Sequence, residues 1–159
     1  MSSQSTAMNV SDRFIQTNLV SDGSVSAAHN DPNLINPWGV SHGPGGPFWV
    51  SDNGTGVGTV YTGDGTLVKV GGHPAITVAA PIGQSTPASP TGQVFNAAGQ
   101  GFDITQNGTT ASSIFIFATE DGTISGWNPS VNGGSSVIAV DNSAGGTGAV
   151  YKGLTIGTD

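Results

Sequence analysis

The hydrophobic residues of this chain occur in short runs of Val, Ile, Phe, Trp and Thr that are bounded by Gly, Asp and Asn. No apolar pattern with the 3.6-residue period of a helix continues for three turns without a Gly or Pro. Such runs between turn-forming residues are typical of an all-β domain. The pattern therefore predicts almost no helix. The predicted strands are Phe14–Val20, Trp38–Ser41, Phe48–Ser51, Thr59–Thr62, Leu67–Val70, Ala75–Val78, Gly101–Thr105, Ser113–Ala118, Thr123–Trp127, Val137–Val140 and Gly153–Gly157.

Two segments of the chain repeat one strand-turn-strand unit. Phe48–Gly54, followed by Thr59–Tyr61, matches Phe115–Gly122, followed by Thr123–Trp127. Large apolar side chains occupy matching positions of the two copies. This pattern predicts that these side chains are buried between packed sheets. These side chains are Trp49, Phe115, Phe117 and Ile124.

A further strand is predicted before each copy, and a third such strand begins at Gly153. The intervals are 62 residues from Gly39 to Gly101 and 52 residues from Gly101 to Gly153. Both exceed the roughly 40 to 50 residues of a four-stranded propeller blade, but the first includes a Pro-, Ser- and Gly-rich stretch. The predicted organisation is a disordered or non-native N-terminus over 1–13 and a propeller segment over 14–159. Within that segment we expect blade 1 at 36–79, a loop insertion at 80–100, blade 2 at 101–141 and the start of blade 3 at 150–159.

A closed β-propeller needs about four to eight blades, whereas this repeat supplies two blades and the first strand of a third. Two arrangements would complete a ring. Either the chain is the N-terminal part of a longer propeller, or three copies assemble into six blades. The alternative fold is a free-standing β-sandwich of short strands.

Four blocks of the sequence resemble, in order, a family of secreted bacterial conserved hypothetical proteins, some of them associated with PEP-CTERM surface sorting. Members of that family are predicted to be six-bladed propellers, and the chain resembles their N-terminal part from Phe14 to Asp159. The resemblance implies a propeller and an exported protein, and it implies no particular activity. The blocks are Asn18–Asp22, Asp31–Gly39, Phe48–Gly56 and Phe117–Pro129.

Charge excludes one class of partner. The net charge is −7, and the three cations, Arg13, Lys69 and Lys152, stand far apart with no aromatic platform between them. Nucleic-acid binding requires a clustered basic surface, so it is excluded. The absence of cysteine excludes disulfides, thiolate metal sites and cysteine nucleophiles. No apolar stretch is long enough to predict a transmembrane segment.

Composition also bears on location. Lys, Arg and Glu are rare, while Ser, Thr, Asn and Gly are abundant, which is typical of secreted bacterial β-proteins. Residues 1–12 have neither the basic nor the apolar region of a signal peptide. Either the protein stays inside the cell, or it is extracellular or cell-surface and the present sequence lacks its signal peptide. We favour the second interpretation.

In a propeller, the innermost strand of each blade lines a central channel. We expect ligand-binding or metal-ligating residues at the rim of this channel, where the loop before each innermost strand meets the loop between the second and third strands. The expected ligand-binding residues there are Asn36, Trp38, Asp52, Asn53 and Asp103. The expected metal ligands are Asp52, Asn53, Glu120 and Asp121. Carboxylate and amide oxygens suit Ca²⁺, as in calcium-dependent lactonases of the gluconolactonase type. The alternative is that these Asp and Asn side chains only bond the backbone of their own turns.

Other catalytic and binding motifs are weak. His29, His42 and His73 have no metal-ligand spacing, and the nucleophile pattern GxSxG does not occur. An exposed Trp could stack on a sugar ring, although core packing is favoured for Trp49 and Trp127.

Two functions are consistent with these features. The favoured function is a non-enzymatic extracellular propeller module that binds a protein, glycan or surface through its loops, and that associates with itself or with a complementary chain to complete the ring. The alternative is a calcium-assisted hydrolase or lactonase, in which the cation polarises a carbonyl and activates water. Calcium is the only cofactor that the sequence suggests.

Overall fold

The computed structural model describes residues 15–144 and 148–157, so the expectation for 1–13 and the first residue of the predicted strand at Phe14 lie outside the described residues. Within these ranges the protein is all-β and contains no α-helix, as predicted. No described helix could cross a membrane. The strands are β1 (Val20–Ser21), β2 (His29–Asn30), β3 (Pro37–Ser41), β4 (Phe48–Asp52), β5 (Val57–Tyr61), β6 (Ala75–Thr77), β7 (Pro90–Phe95), β8 (Asp103–Gln106), β9 (Thr109–Ser112), β10 (Phe115–Thr119), β11 (Thr123–Trp127) and β12 (Val137–Asp141).

The first four-stranded sheet is an antiparallel meander in the order β3-β4-β5-β6. Its central pair runs without interruption from Phe48 opposite Tyr61 to Asp52 opposite Val57. The turn between these strands places Gly56 at φ 74°, a left-handed conformation that glycine adopts without steric cost. We refer to this meander as sheet 1.

The second four-stranded sheet, sheet 2, has the order β12-β11-β10-β7 and is also antiparallel. Its first strand is β7, which lies within the range 80–100 that was expected to be a loop insertion. Residues 103–112 form a separate hairpin, β8-β9, rather than leading sheet 2. Sequence patterning missed β7 because its buried side chains include Thr91 and Gln93, whose hydrogen bonds replace apolar burial.

Two other predicted strands are not strands in the structure, and of the described part of the predicted strand Phe14–Val20 only Val20 lies in a strand. Leu67 and Val70 form only isolated bridges, Leu67 with Tyr61 and Val70 with His73. Residues 153–157 pair with no strand in the described part of the chain. Their apolar sequence has strand character, but a strand forms only beside a neighbour that accepts its hydrogen bonds.

The core lies between sheets 1 and 2. The rings of Trp49 and Phe115 stack with centroids 4.0 Å apart, and the centroid of Trp127 lies 4.9 Å from that of Trp49. Burial is confirmed for Trp49, Phe115 and Phe117, whereas Ile124 is only half-buried. The cause is register: Ile124 pairs with Ala118, whose side chain alternates with that of Phe117 and therefore points away from sheet 1.

The two sheets are joined along both edges. At the β3 edge, a Cβ on Gly39 would lie 2.6 Å from the carbonyl oxygen of Thr91, so the two main chains are in contact. The Gln93 side chain also donates to the carbonyls of Gly39, at 3.1 Å, and of Trp49. At the opposite edge, Thr77 bridges to Ser135 next to β12.

The main-chain contact recurs on the far side of β7. A Cβ on Gly92 would meet the backbone of Gly153, at 2.6 Å from its carbonyl carbon. The segment 151–157 therefore lies beside β7, as β7 lies beside β3. We call β3, β7 and 151–157 the three lead segments. Neither four-stranded sheet closes on itself.

Candidate ligand-binding site

Antiparallel pairing brings several polar side chains to one end of the two sheets. The start of β3 pairs with the end of β4, since Pro37 lies opposite Asp52. The start of β7 pairs with the end of β10, since Pro90 lies opposite Thr119. Residues just before the first strands and just after the second strands therefore share one rim.

Asn53 is the centre of a hydrogen-bond chain on this rim. Its Oδ1 accepts a bond of 3.1 Å from Nδ2 of Asn36. Its own Nδ2 donates to Oε2 of Glu120 at 3.0 Å and to the carbonyl of Pro90 at 3.3 Å. Asn36 has φ 50°, a left-handed conformation that Asn tolerates better than most residues. The amide of one sheet is thus tied to the carboxylate of the other.

Lys152 extends the chain towards an exposed aromatic ring. Its ammonium forms an ion pair with Oε1 of Glu120 and lies 5.4 Å from the ring centroid of Trp38, within cation–π range. The bonds from Lys152 and then Asn53 hold the pKa of Glu120 below its usual value. Trp38 remains 44% exposed. We call Asn36, Trp38, Asn53, Glu120 and Lys152 the rim cluster.

Sequence reasoning placed four of these side chains on a rim and missed Lys152, which was treated as one of three scattered cations. A signal was present in the sequence. Lys152 immediately precedes Gly153 just as Trp38 immediately precedes Gly39, and both glycines lie in lead segments. The equivalence of these positions could have placed the ammonium beside the indole.

Asp52 does not join the rim cluster. Its side chain is fully buried, with Oδ2 accepting a bond of 2.7 Å from Thr59 and Oδ1 without a partner. Burial, to which the nearby charge of Asp31 adds, raises the pKa of Asp52 to about 7. Asp31 in turn accepts a bond of 2.8 Å from the Tyr61 hydroxyl, and burial raises the pKa of that hydroxyl. These groups link the segment before β3 to sheet 1.

Asp103 and Asp121 are engaged in hydrogen bonds outside the rim cluster. Oδ2 of Asp121 accepts a bond of 2.5 Å from the backbone amide of Ser89, ahead of β7. Oδ1 of Asp103 accepts a bond of 2.7 Å from Ser112 across the β8-β9 hairpin. Neither bond is made to the backbone of the residue's own turn: Asp121 ties its turn to the segment before β7, and Asp103 ties the two strands of a hairpin together.

Of the four expected calcium ligands, the structure brings only Asn53 and Glu120 into contact. Within residues 15–144 and 148–157, no three His, Cys, Asp or Glu side chains lie close enough together to hold a metal ion. Asn53 also presents its amide nitrogen, not its oxygen, to Glu120. Calcium binding at this position stays a prediction from sequence.

The chain is similar to two proteins of Acanthamoeba polyphaga mimivirus. It is 35% identical over 141 residues to uncharacterized protein R648, covering 89% of the chain and 33% of that relative. It is 34% identical over 138 residues to uncharacterized protein L690, covering 87% of the chain and 35% of that relative. The chain thus spans about a third of the length of these relatives. No family model matches the chain, and no solved structure matches it significantly.

Proposed function

We propose that the chain is part of an extracellular, non-enzymatic β-propeller that binds a ligand through the rim cluster. The observation that carries this proposal is the chemistry of the cluster. A half-exposed indole lies beside the ammonium of an internally neutralised ion pair, and the hydrogen-bond chain continues from that pair through two amides, so the cluster offers stacking, donors and acceptors. A hydrolytic site needs groups that converge on a reacting atom, and Asp52 and Asp121 are engaged elsewhere.

The propeller assignment is supported by the three lead segments. Sheets 1 and 2 are successive antiparallel meanders whose first strands lie side by side, and 151–157 takes the corresponding place for a third sheet. A sandwich does not need this regular succession of first strands. In this arrangement blade 2 begins at β7, not at residue 101.

Completion of the propeller requires strands from outside the described fold. The face of sheet 2 that points away from sheet 1 borders a cleft of about 220 Å³. The lining is mostly apolar, and its residues are Val94, Phe102, Ile116, Ile124, Leu154, Thr155, Ile156 and Gly157. A further sheet packed there would bury these side chains as sheet 2 buries Trp49. Other copies of this chain, a complementary chain or the rest of a longer propeller would supply it.

Binding and turnover can be measured on the same preparation. The protein is applied to immobilised polysaccharides, immobilised extracellular proteins and vesicles, and in parallel to a lactone substrate with Ca²⁺ or with a chelator. We expect one surface class to retain the protein, with retention lost in Trp38→Ala and kept in Phe48→Ala, a control at another exposed aromatic side chain. Calcium-dependent turnover that is lost in Glu120→Gln would overturn the proposal in favour of the hydrolase.

A further inference from the structure

Resting on the proposed function, we infer that the rim cluster binds a neutral glycan, with one sugar ring stacked on Trp38. Among the three tryptophans of the chain, Trp49 and Trp127 are 3% and 4% exposed, whereas Trp38 is 44% exposed. The indole of Trp38 therefore leaves apolar surface in water. The C–H face of a pyranose covers such a ring without needing a deep pocket.

The polar groups of the rim cluster match sugar hydroxyls. Each hydroxyl both donates and accepts a hydrogen bond. Asn36 and Asn53 carry amide donors and acceptors, Glu120 adds a carboxylate acceptor and Lys152 adds an ammonium donor. They are held in a fixed order by their mutual bonds, so a ligand that exchanges bonds with them meets groups already in position.

Charge favours a neutral ligand over an ionic one. Lys152 is already paired with Glu120, so the cluster has no net charge, and the chain as a whole carries −7. An acidic glycan would have to compete with Glu120 for the ammonium and would approach against the field of the protein. A cationic ligand on the indole would be repelled by the Lys152 ammonium, which lies 5.4 Å from the ring centroid, whereas a neutral sugar ring would not.

The same residues fit a glycan better than a protein. The centre of a protein–protein interface is typically depleted in Lys, Glu and Asp and enriched in aromatic residues, Met and Arg. Here a single indole lies beside Lys152, whose side chain is 59% exposed and is linked through Glu120 and Asn53 to Asn36. A chain of polar groups beside one aromatic surface suits a small polyhydroxylated ligand.

Tryptophan fluorescence offers a direct test, because acrylamide should quench the exposed Trp38 far more than the two buried indoles. The probes are the neutral oligosaccharides maltotriose, cellotriose and chitotriose, against the acidic trigalacturonate, each at about 10 mM to reach weak affinities. We expect at least one neutral probe to protect about a third of the accessible fluorescence or more, with no protection by trigalacturonate. Protection should be unchanged when salt is raised.

Variants separate binding from folding. Trp38→Ala should lose the protectable signal, so its binding is followed by saturation-transfer NMR and is expected to be about tenfold weaker or undetectable. Trp38→Phe should retain the fold and bind a few-fold more weakly, about three- to fivefold. Phe48→Ala and Lys69→Ala, which change an exposed aromatic and a cation outside the cluster, should bind as the parent does.

The outcomes distinguish this inference from the proposed function. Protection by trigalacturonate alone, or retention only on immobilised proteins in a Trp38-dependent manner, overturns the neutral glycan and leaves a binding module. Failure of every polysaccharide, protein and vesicle to retain the protein overturns both. Binding of a neutral probe that is equal in Trp38→Ala overturns the placement of the site.

Discussion

At the scale of single residues, folding moves the pKa of the Asp52 carboxyl into the neutral range. Its carboxyl is buried against Thr59 and near Asp31, and its pKa rises from 3.8 to about 7. The folded state therefore holds a proton that the unfolded state releases. Stability from this group is present at low pH and is lost as the pH rises between about 4 and 7.

Replacing Asp52 by Asn removes this titration and retains an acceptor for Thr59. Between pH 4.5 and 8, the parent should lose roughly 2 to 4 kcal/mol more unfolding free energy than Asp52→Asn does. Urea unfolding at a series of pH values measures the difference. The control is Asp64→Asn, because hydrogen bonds from Thr62 and Thr66 lower the pKa of Asp64 to about 2, below that window. Parallel pH profiles for parent and Asp52→Asn would contradict the assignment.

Gly92 lets the main chain of β7 approach the main chain of 151–157 closely, because glycine has no side chain. A Cβ there would overlap the backbone of Gly153, which cannot rotate away as a side chain can. We expect Gly92→Ala to cost about 2 kcal/mol or more and to loosen 151–157. Gly63→Ala is the matched control because nothing lies within 4 Å of its Cβ position. Equal stability of the two variants, measured by thermal unfolding, would show that 151–157 does not pack beside β7.

At the scale of elements, the contact between sheets depends on stacked aromatic rings. Phe115 lies on β10 and contacts both Trp49 and Phe95. Truncation of Phe115 to Ala should cost about 3 to 5 kcal/mol, since it leaves a cavity that the flanking strands cannot close. Chemical denaturation gives this number. Phe48→Ala, at a 42% exposed position, should cost less than about 1 kcal/mol.

The elements also show what sequence could and could not predict. Period-two apolar runs located β4, β5, β10 and β11, because one face of each is packed against the other sheet. The same reasoning missed β7, whose buried Thr91 and Gln93 are satisfied by hydrogen bonds to other segments. The pattern of hydrophobic residues in the sequence does not indicate such hydrogen bonds.

The rim cluster, too, could be predicted from the sequence only in part. Turn residues at matching places in the repeat indicated that Asn53 and Glu120 belong to one end of the sheets. The pairing of Lys152 with Glu120 joins residues 32 apart in sequence and depends on 151–157 lying beside β7. No local pattern predicts that contact, and only the equivalence of Lys152 with Trp38 before the lead-segment glycines indicates it. The burial of Asp52 was likewise invisible, since a carboxylate at a strand end reads as a turn residue.

At the scale of the whole molecule, exposed apolar surface predicts association. Phe102 is 58% exposed at the cleft on the outer face of sheet 2, and a net charge of −7 on each copy opposes assembly. We expect concentration-dependent assembly that strengthens with salt, as screening relieves the repulsion. Phe102→Asn tolerates the residue's φ of 51° and should weaken assembly, whereas Ile82→Asn, at an 80% exposed site outside the cleft, should not.

Light scattering and sedimentation measure this assembly. A stable, protease-resistant monomer of 15.8 kDa at all salt concentrations would contradict the proposed incomplete propeller and favour a compact sandwich. Equal assembly by the two variants would place the contact elsewhere than at the cleft.

The main-chain contacts at Gly39 and Gly92 make the spacing of the lead segments independent of side-chain size. The opposite edges of the sheets are joined through the main chain as well, since Thr77 bridges to Ser135. The rings of Trp49 and Trp127 fill the space between these two lines of backbone contact. The distance between the sheets is therefore fixed at both margins and only filled by the core. Because Trp38 and Lys152 each adjoin a glycine of a lead-segment contact, we expect the rim cluster to keep its geometry when core side chains are substituted.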